Sequence, residues 1–313
     1  MESSTVIHNL CNVFTKANEL SANILSVEVS LSTLHLEELY KLPKTFISIV
    51  WRYQGEDLNN ISSIEPFITL KQLGLRNKHI LFHLPCRNLS EANAFKLLNA
   101  LKDCNVRNVL VLQGSDVIAD CGKRGFEHAV DLVRFIKKNY GVYFGVGVAA
   151  FPNVHPDAPS ADSDLMHLKE KVNSGSDFVI TQMAFDYNVF DEFYKNFKRV
   201  CPTTPLLVGM YIITSYESWT IAQRLLKKDL PQHVNEFVIK NRDNEQAILD
   251  FGIELCIDMI KKVLFKANQQ ILGVHFYCLN NFQLVQQVCD ILGFREVHIE
   301  RSPNMNSYSF FVR

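Results

Sequence analysis

Several features are missing from this sequence, and each absence excludes something. No two of its eight cysteines form a C-x-x-C pair; Cys11, Cys86, Cys104, Cys121, Cys201, Cys256, Cys278 and Cys289 are scattered along the chain. That spacing argues against a zinc site or a disulfide framework and predicts free thiols in a cytoplasmic protein without a metal. No apolar run reaches the roughly eighteen residues that a membrane-crossing helix needs, so no membrane partner is expected. The opening Met1-Glu2-Ser3-Ser4 lacks the basic-then-apolar order of a secretory leader. Charge of one sign is not in excess either: Lys plus Arg number 32 against 33 Asp plus Glu, a net charge of −1. With no dense basic run, nucleic acid is not an expected partner. There is also no internal repeat, low-complexity tract or linker.

What the chain does have is apolar material for one large core. Hydrophobic residues make up 47% of its 313 residues and charged residues 21%, close to the globular average. Eight short apolar runs stand out: Ile24–Val29, Phe46–Trp51, His79–Leu84, Val109–Leu112, Tyr143–Ala150, Phe178–Gln182, Leu206–Met210 and Val274–Tyr277. Between them lie helical patterns. Ser90 precedes Ala94, Leu97, Leu98 and Leu101; a second stripe is Phe126, Ala129, Val130, Val133 and Ile136. Ser160 precedes Ala161, Leu165, Leu168 and Val172, and further stripes run through Phe190–Phe197, Trp219–Leu226, 244–266 and Phe282–Leu292. An additional N-terminal helix is marked by Val6, Ile7, Leu10, Val13, Phe14, Ala17 and Leu20, with Ser3, Ser4 and Thr5 as caps.

Strands alternating with helices imply a parallel sheet. Eight units predict an α/β fold of the (β/α)8 TIM type, with a doubly wound open sheet as the alternative. The segment 30–45 is short, so the first helix is expected to be abbreviated. Residues 1–313 read as a single domain.

In such a barrel the chemistry sits at the C-terminal ends of the strands. Alternation places Leu25, Val27 and Val29 on one face of the first strand, with Ser26 and Glu28 on the other. A glutamate in an apolar strand is either paired or kept protonated, so a salt-bridged carboxylate and a functional acid weigh about evenly. His79 and His83 share a strand face, but no third ligand accompanies them, and a hydrogen-bonding His83 is the better reading. Gly145–Ala150 fits a loose G-x-G-x-x-[GA] pattern, yet Phe151-Pro152 follows where a dinucleotide fingerprint requires a helix. Asp164, His167 and Lys171 fall on one helical stripe beside the core-facing row. A solvated charge set is the ordinary reading of that stripe. The three prolines of Phe151–Pro159 argue against it, because they hold His155 next to the helix.

The run HPDAPSADSDLMHLKEKVNSGSDFVITQ (155–182) resembles methylenetetrahydrofolate reductase. So do HLPC at 83–86, the stretch Arg107–Gly114, PQHVNEFVIKNRDNEQAILDFGIELC and HFYCLNN, continuing to Gly293. The resemblance covers the catalytic barrel only, so no C-terminal regulatory domain is expected. It implies an FAD enzyme of one-carbon metabolism that feeds methionine synthesis. Hydride passes from NAD(P)H to the flavin and then to methylenetetrahydrofolate, in a ping-pong scheme.

Residue by residue, the resemblance implies Glu28 as general acid. It implies His83, Gly114, Ser115, Ala129, Phe151, His155, Asp164, His167 and Lys171 as FAD-binding positions. Gln182, Tyr216 and Asn281 are the implied substrate-binding positions. Folate and nicotinamide dinucleotide are the implied partners; self-association is left open.

The chain also departs from the family pattern. An Arg-Gly-Asp turn reads Gln113-Gly114-Ser115, and Asp116 is one residue out of phase. Val50, Pro85 and Asn281 replace two threonines and an arginine, Phe151 replaces a tyrosine, and Ser30-Leu31-Ser32 follows Glu28-Val29. Buried charged partners lost in this way weaken ligand binding by about a few kcal/mol. The alternative to a reductase is therefore a noncatalytic flavin- or folate-binding barrel.

Overall fold

The computed structural model describes residues 9–31, 36–51, 80–114, 125–265, 271–299 and 308–312. Eight strands close into a barrel: β1 (Ile24–Ser30), β2 (Phe46–Val50), β3 (Ile80–Pro85), β4 (Asn108–Leu112), β5 (Gly145–Ala150), β6 (Phe178–Met183), β7 (Leu206–Met210) and β8 (Gly273–Phe276). Neighbours are parallel throughout, and β8 pairs with β1 through Ser26 opposite His275. The eight apolar runs thus mark the eight strands, with ends shifted by a residue or two. His79 lies outside the described residues.

Each strand is buried on both faces, which is why the runs are nearly continuous in sequence. The outward row of β1, Leu25, Val27 and Val29, packs into the layer between barrel and helices. Among the described residues the connecting helices are α2 (Leu36–Lys41), α3 (Glu91–Asp103), α4 (Ala129–Tyr140), α5 (Ala161–Asn173), α6 (Tyr187–Val200), α7 (Tyr216–Leu226), α8 (Gln232–Lys240), α9 (Glu245–Phe265) and α10 (Phe282–Leu292). Ser90 and Ser160 cap α3 and α5 through hydrogen bonds from Asn93 N and Ser163 N. Gly293 ends α10 at φ +70°, where a side chain would be strained. The short α2 is the abbreviated first unit. Helix α8 is an addition between α7 and α9 that the apolar spacing did not announce. Three positions on the expected apolar stripes are surface ones: Leu20 is 42% exposed, Leu225, within the Trp219–Leu226 stripe, is 47% exposed, and Ala161, at the first turn of α5, faces solvent.

A further helix, α1 (Leu10–Glu19), closes the N-terminal end of the barrel. Its cap is Asn9, which accepts from Cys11 N, and not Ser3, Ser4 or Thr5; those three, with Val6 and Ile7, lie outside the described residues. Leu10, Val13, Phe14 and Ala17 pack on Ile24, Phe46, Leu81, Leu110, Phe178 and Leu207. The Phe14 ring meets Phe178 edge-on at 5.0 Å. Leu10 N donates to Asn108 Oδ1 at 2.7 Å, which satisfies an otherwise unpaired helix-end donor.

After α10, β9 (Arg295–Ile299) and β10 (Tyr308–Val312) form an antiparallel pair. Phe311 exchanges backbone bonds of 2.9 and 3.1 Å with Asn23, just before β1, and its side chain is buried. This C-terminal strand therefore packs on the barrel. With α1 filling one end, the opposite mouth is where side chains can reach a ligand.

Candidate active site

Glu28 lies on the inward row of β1, half-buried, with Ser48 of β2 as its register partner. Tyr277 and Cys278, just past β8, are titratable groups that feel its charge. Burial, and then the Glu28 charge, push the Tyr277 phenol far above its ordinary value. The same two causes raise the Cys278 thiol to about 12. Cys278 Sγ donates to the Glu28 carbonyl at 3.2 Å. Tyr277 lies over Gly209, where an added Cβ would come within 2.6 Å of Tyr277 Cε2. Its hydroxyl donates to Thr181 O at 2.8 Å. That carbonyl is available because the β6–β7 register shifts between Ile180 and Met183. The next residue, Gln182, is half-buried and accepts from Met183 N through Oε1 at 3.0 Å. Strands β1, β6 and β8 thus share one polar cluster.

Below it lies a buried polar floor. Ser26 Oγ is 2.8 Å from His275 Nδ1, and Ser48 Oγ is 2.6 Å from His83 Nε2. Burial lowers His83 to about 4 and His275 to about 3, so both are neutral at physiological pH. Among the described residues no group of three or more His, Cys, Asp or Glu could hold a metal ion.

The rim is built by β5, the proline-rich loop and α5. Phe151 meets His155 edge-on at 4.5 Å. The loop turns at Val154, with φ +67°. His155 N donates to Asp164 Oδ2 at 3.0 Å, and Asp157 N donates to His155 Nδ1 at 3.0 Å. With Nδ1 accepting, the neutral ring carries its proton on Nε2. Burial lowers the His155 pKa against the pull of Asp157 and Asp164.

Lys171 Nζ donates to Ala149 O at 2.7 Å, and burial lowers it from 10.5 to about 8 although Asp164 opposes the shift. Asp164 and Lys171, seven apart, are both half-buried, whereas His167 between them is exposed. The predicted stripe is therefore split.

On the other side of the mouth, Gly114, two residues past β4, has φ +87°, and a Cβ there would meet Pro85 Cβ at 3.2 Å. Gln113 O accepts from Arg87 N at 3.0 Å, and Arg87 Nη2 lies 4.0 Å from the Asp157 carboxylate. Ala129 is the half-buried first residue of α4. Ser115 and Asp116 lie outside the described residues.

The family profile described as methylenetetrahydrofolate reductase matches residues 27–293, the span that carries Glu28, the rim and all of the floor but Ser26. The chain belongs to the methylenetetrahydrofolate reductase family. Among curated relatives, a probable methylenetetrahydrofolate reductase (NADPH) of Caenorhabditis elegans is 28% identical over 85% of this chain and 40% of its own length. Methylenetetrahydrofolate reductase 2 of Schizosaccharomyces pombe is 33% identical over 75% and 38%. Methylenetetrahydrofolate reductase (NADH) 1 of Zea mays is 31% identical over 64% and 35%. The chain therefore spans about two-fifths of the length of these relatives. Among solved structures, a Clostridium thermocellum protein that binds two copies of 5-methyl-5,6,7,8-tetrahydrofolic acid superposes with a TM-score of 0.62 at 12% identity, covering 89% of this chain and 99% of that one. At that identity the likeness speaks to the barrel alone.

Two positions that the reductase resemblance implies for substrate have structural work of their own. Tyr216, 40% exposed at the start of α7, has its ring 5.0 Å from Trp219 and 5.9 Å from Arg242. Asn281 is exposed and caps α10 by accepting from Leu284 N at 3.2 Å. In this member of the reductase family the sequence reading passed over Tyr277, Ser26, Ser48 and His275. The signal was there, since Ser26 and Glu28 alternate together, and His275 and Tyr277 do likewise. Only barrel closure reveals that these two rows adjoin.

Proposed function

We propose that this chain is the catalytic barrel of an FAD-dependent methylenetetrahydrofolate reductase that uses NAD(P)H in a ping-pong cycle in the cytoplasm. The observation that carries this reading is the meeting of Glu28 and Tyr277 at the barrel mouth, with Tyr277 bonded to the Thr181 carbonyl beside Gln182, above a neutral floor and next to a rim that holds Lys171. The whole chain, 1–313, is read as one barrel unit.

FAD fits these residues. Gly114, at positive φ and without a Cβ, lets backbone approach a flat group closely. His155 presents Nε2–H, and Lys171 presents an ammonium that is largely charged at neutral pH. His155, Asp164 and Lys171 would hold the cofactor together with His83, Ala129 and Phe151; His167 and Ser115 complete the proposed set. When bound, FAD supplies hydride acceptance from the nicotinamide and hydride donation to the folate.

The chain's own residues do the rest. Glu28 delivers a proton to a folate ring nitrogen, so that the five-membered ring opens to the iminium that accepts hydride. Gln182, steadied through Met183 N, offers its amide N–H groups to the pterin or to the carboxamide of the nicotinamide. Tyr216 and Asn281 are assigned to the outer end of the substrate. The apolar plug of α1 and the buried floor exclude water from below.

A second reading, a barrel that binds flavin or folate without turnover, is favoured by the neutral Gln113 and Ser115. An anaerobic visible spectrum with FAD separates the two. Bleaching on adding NADPH or NADH, then recovery with methylenetetrahydrofolate, is the expected result. A bound flavin that never cycles establishes the second reading, and no bound flavin removes both as flavoprotein assignments.

A further inference from the structure

Strand β1 outruns its partner β8. Their register ends at Val27 opposite Phe276, whereas β1 continues to Ser30. Ile24 N donates to Leu272 O on the β8 side, and Leu25 O accepts from Thr45 N on the β2 side. Backbone groups alternate between the two sides, so those of Ser26, Glu28 and Ser30 also turn toward β8. For Glu28 and Ser30, that side holds the turn that follows β8.

Side chains of the turn continue the ladder. Cys278 Sγ donates to Glu28 O at 3.2 Å. Asn280, which is buried, accepts from Ser30 N through Oδ1 at 2.9 Å and donates to Ser30 O through Nδ2 at 2.8 Å. A carboxamide carries the donor and the acceptor of a peptide group, so Asn280 stands in for a rung that β8 does not supply.

The turn is itself fixed. Leu279 and Asn280 are both left-handed, at φ +47° and φ +65°. Asparagine tolerates that region, but a leucine is strained there and persists only where its surroundings over-determine it. The bonds to Glu28 and Ser30 flank Leu279, and Asn281 N donates back to Cys278 O at 2.8 Å. At its start, Tyr277 is tied to β7 through Met210 O and to β6 through Thr181 O. Tyr277 and Cys278 also feel the Glu28 charge, so this turn and that carboxylate are neighbours.

We propose that Asn280, assisted by Cys278, is a positioning residue for Glu28: the turn after β8 grips the end of β1 on both sides of Val29 and fixes where the Glu28 side chain leaves the strand. Calling Glu28 the acid rests on the reductase reading; the grip does not. A reacting group misplaced by about 1 Å loses roughly a hundredfold in rate, so a drifting strand end impairs proton delivery before it impairs the fold.

The test uses the full chain and has two arms. Asn280→Gly suits the left-handed backbone and removes the carboxamide. Hydrogen exchange read by mass spectrometry is expected to quicken at the Ser30 amide by about tenfold or more. Unchanged exchange there overturns the grip, whatever the protein catalyses. In the kinetic arm, the limiting rate of the folate half-reaction is expected to fall by about tenfold to a hundredfold. Half-saturation by folate, FAD affinity and the nicotinamide half-reaction should not move. In a Glu28→Gln background the same substitution should cause no further loss, because the proton it misplaces is already gone. An additive loss, an equal fall in both half-reactions or an unmoved folate rate removes the positioning role. Should Asn280→Gly not fold, Cys278→Ala against Cys278→Ser decides. The serine still donates to Glu28 O and is expected to keep the folate rate that the alanine lowers; equal rates overturn the proposal. If the wild type turns over no folate, the reductase reading fails, and exchange at Ser30 still decides the grip.

Discussion

His155 and Asp164 are locked together across the loop–helix junction by a 3.0 Å bond from the His155 backbone N–H to Asp164 Oδ2. One carboxylate on α5 thereby sets the path of a loop whose own prolines leave few conformations. The same loop places the His155 ring with Nε2–H free of the Asp157 contact. Asp164→Ala is expected to weaken FAD binding about tenfold, the low end for a charge-assisted bond because the pair is only half-buried. Asp164→Asn, whose amide oxygen still accepts, should lose less. Flavin fluorescence titration reads both, and equal affinities for all three proteins would remove this bond from cofactor binding.

Lys171 predicts two opposite pH slopes. Its ammonium is charged below about 8, so FAD affinity is expected to fall as pH rises through that value. For the protein without FAD the sign reverses. An unfolded lysine keeps its proton to about 10.4, so between about 8 and about 10.4 the unfolded chain binds more protons and stability rises with pH. Below about 8 the cost of burying the charge is present in full. FAD titrations and urea melts at pH 7 and 9.5 measure both slopes. Slopes in Lys171→Met that match the wild type would assign them to other groups.

Glu28→Gln is expected to lower folate reduction by roughly 10²–10⁴-fold while nicotinamide oxidation continues, since only the folate step needs an acid. Stopped-flow spectra of the two half-reactions separate these effects. Folate turnover unchanged by the substitution would take Glu28 out of the mechanism.

Phe14→Ala tests the plug. Phe14 is 1% exposed and touches Phe46 and Phe178 inside the barrel. The cavity left behind is expected to cost about 3–5 kcal/mol, read by chemical denaturation. A loss below about 1 kcal/mol would mean that α1 is not integral to the barrel core.

Much of this arrangement was legible in the linear chain. Strand and helix periodicities depend on neighbours within a few residues, so all eight strands, the caps Ser90 and Ser160 and the stop at Gly293 could be read locally. Alternation set Ser26 and Glu28 apart from Leu25, Val27 and Val29, because successive strand side chains must point to opposite faces. The rim was legible for the same reason, since His155, Asp164 and Lys171 lie within one loop and the helix it enters. Contacts across the barrel were not. The adjacency of Glu28 and Tyr277 and the Ser26–His275 pair link strands from opposite ends of the chain. They exist only once β8 closes on β1. Nor did spacing show that His167 would face solvent while Asp164 and Lys171 turned inward. The amino-acid sequence by itself determined the barrel's parts and the chemistry available at its mouth. Tertiary closure decided which polar groups meet, because burial and distance, which govern their protonation and hydrogen bonding, are properties of the assembled barrel and not of any one strand.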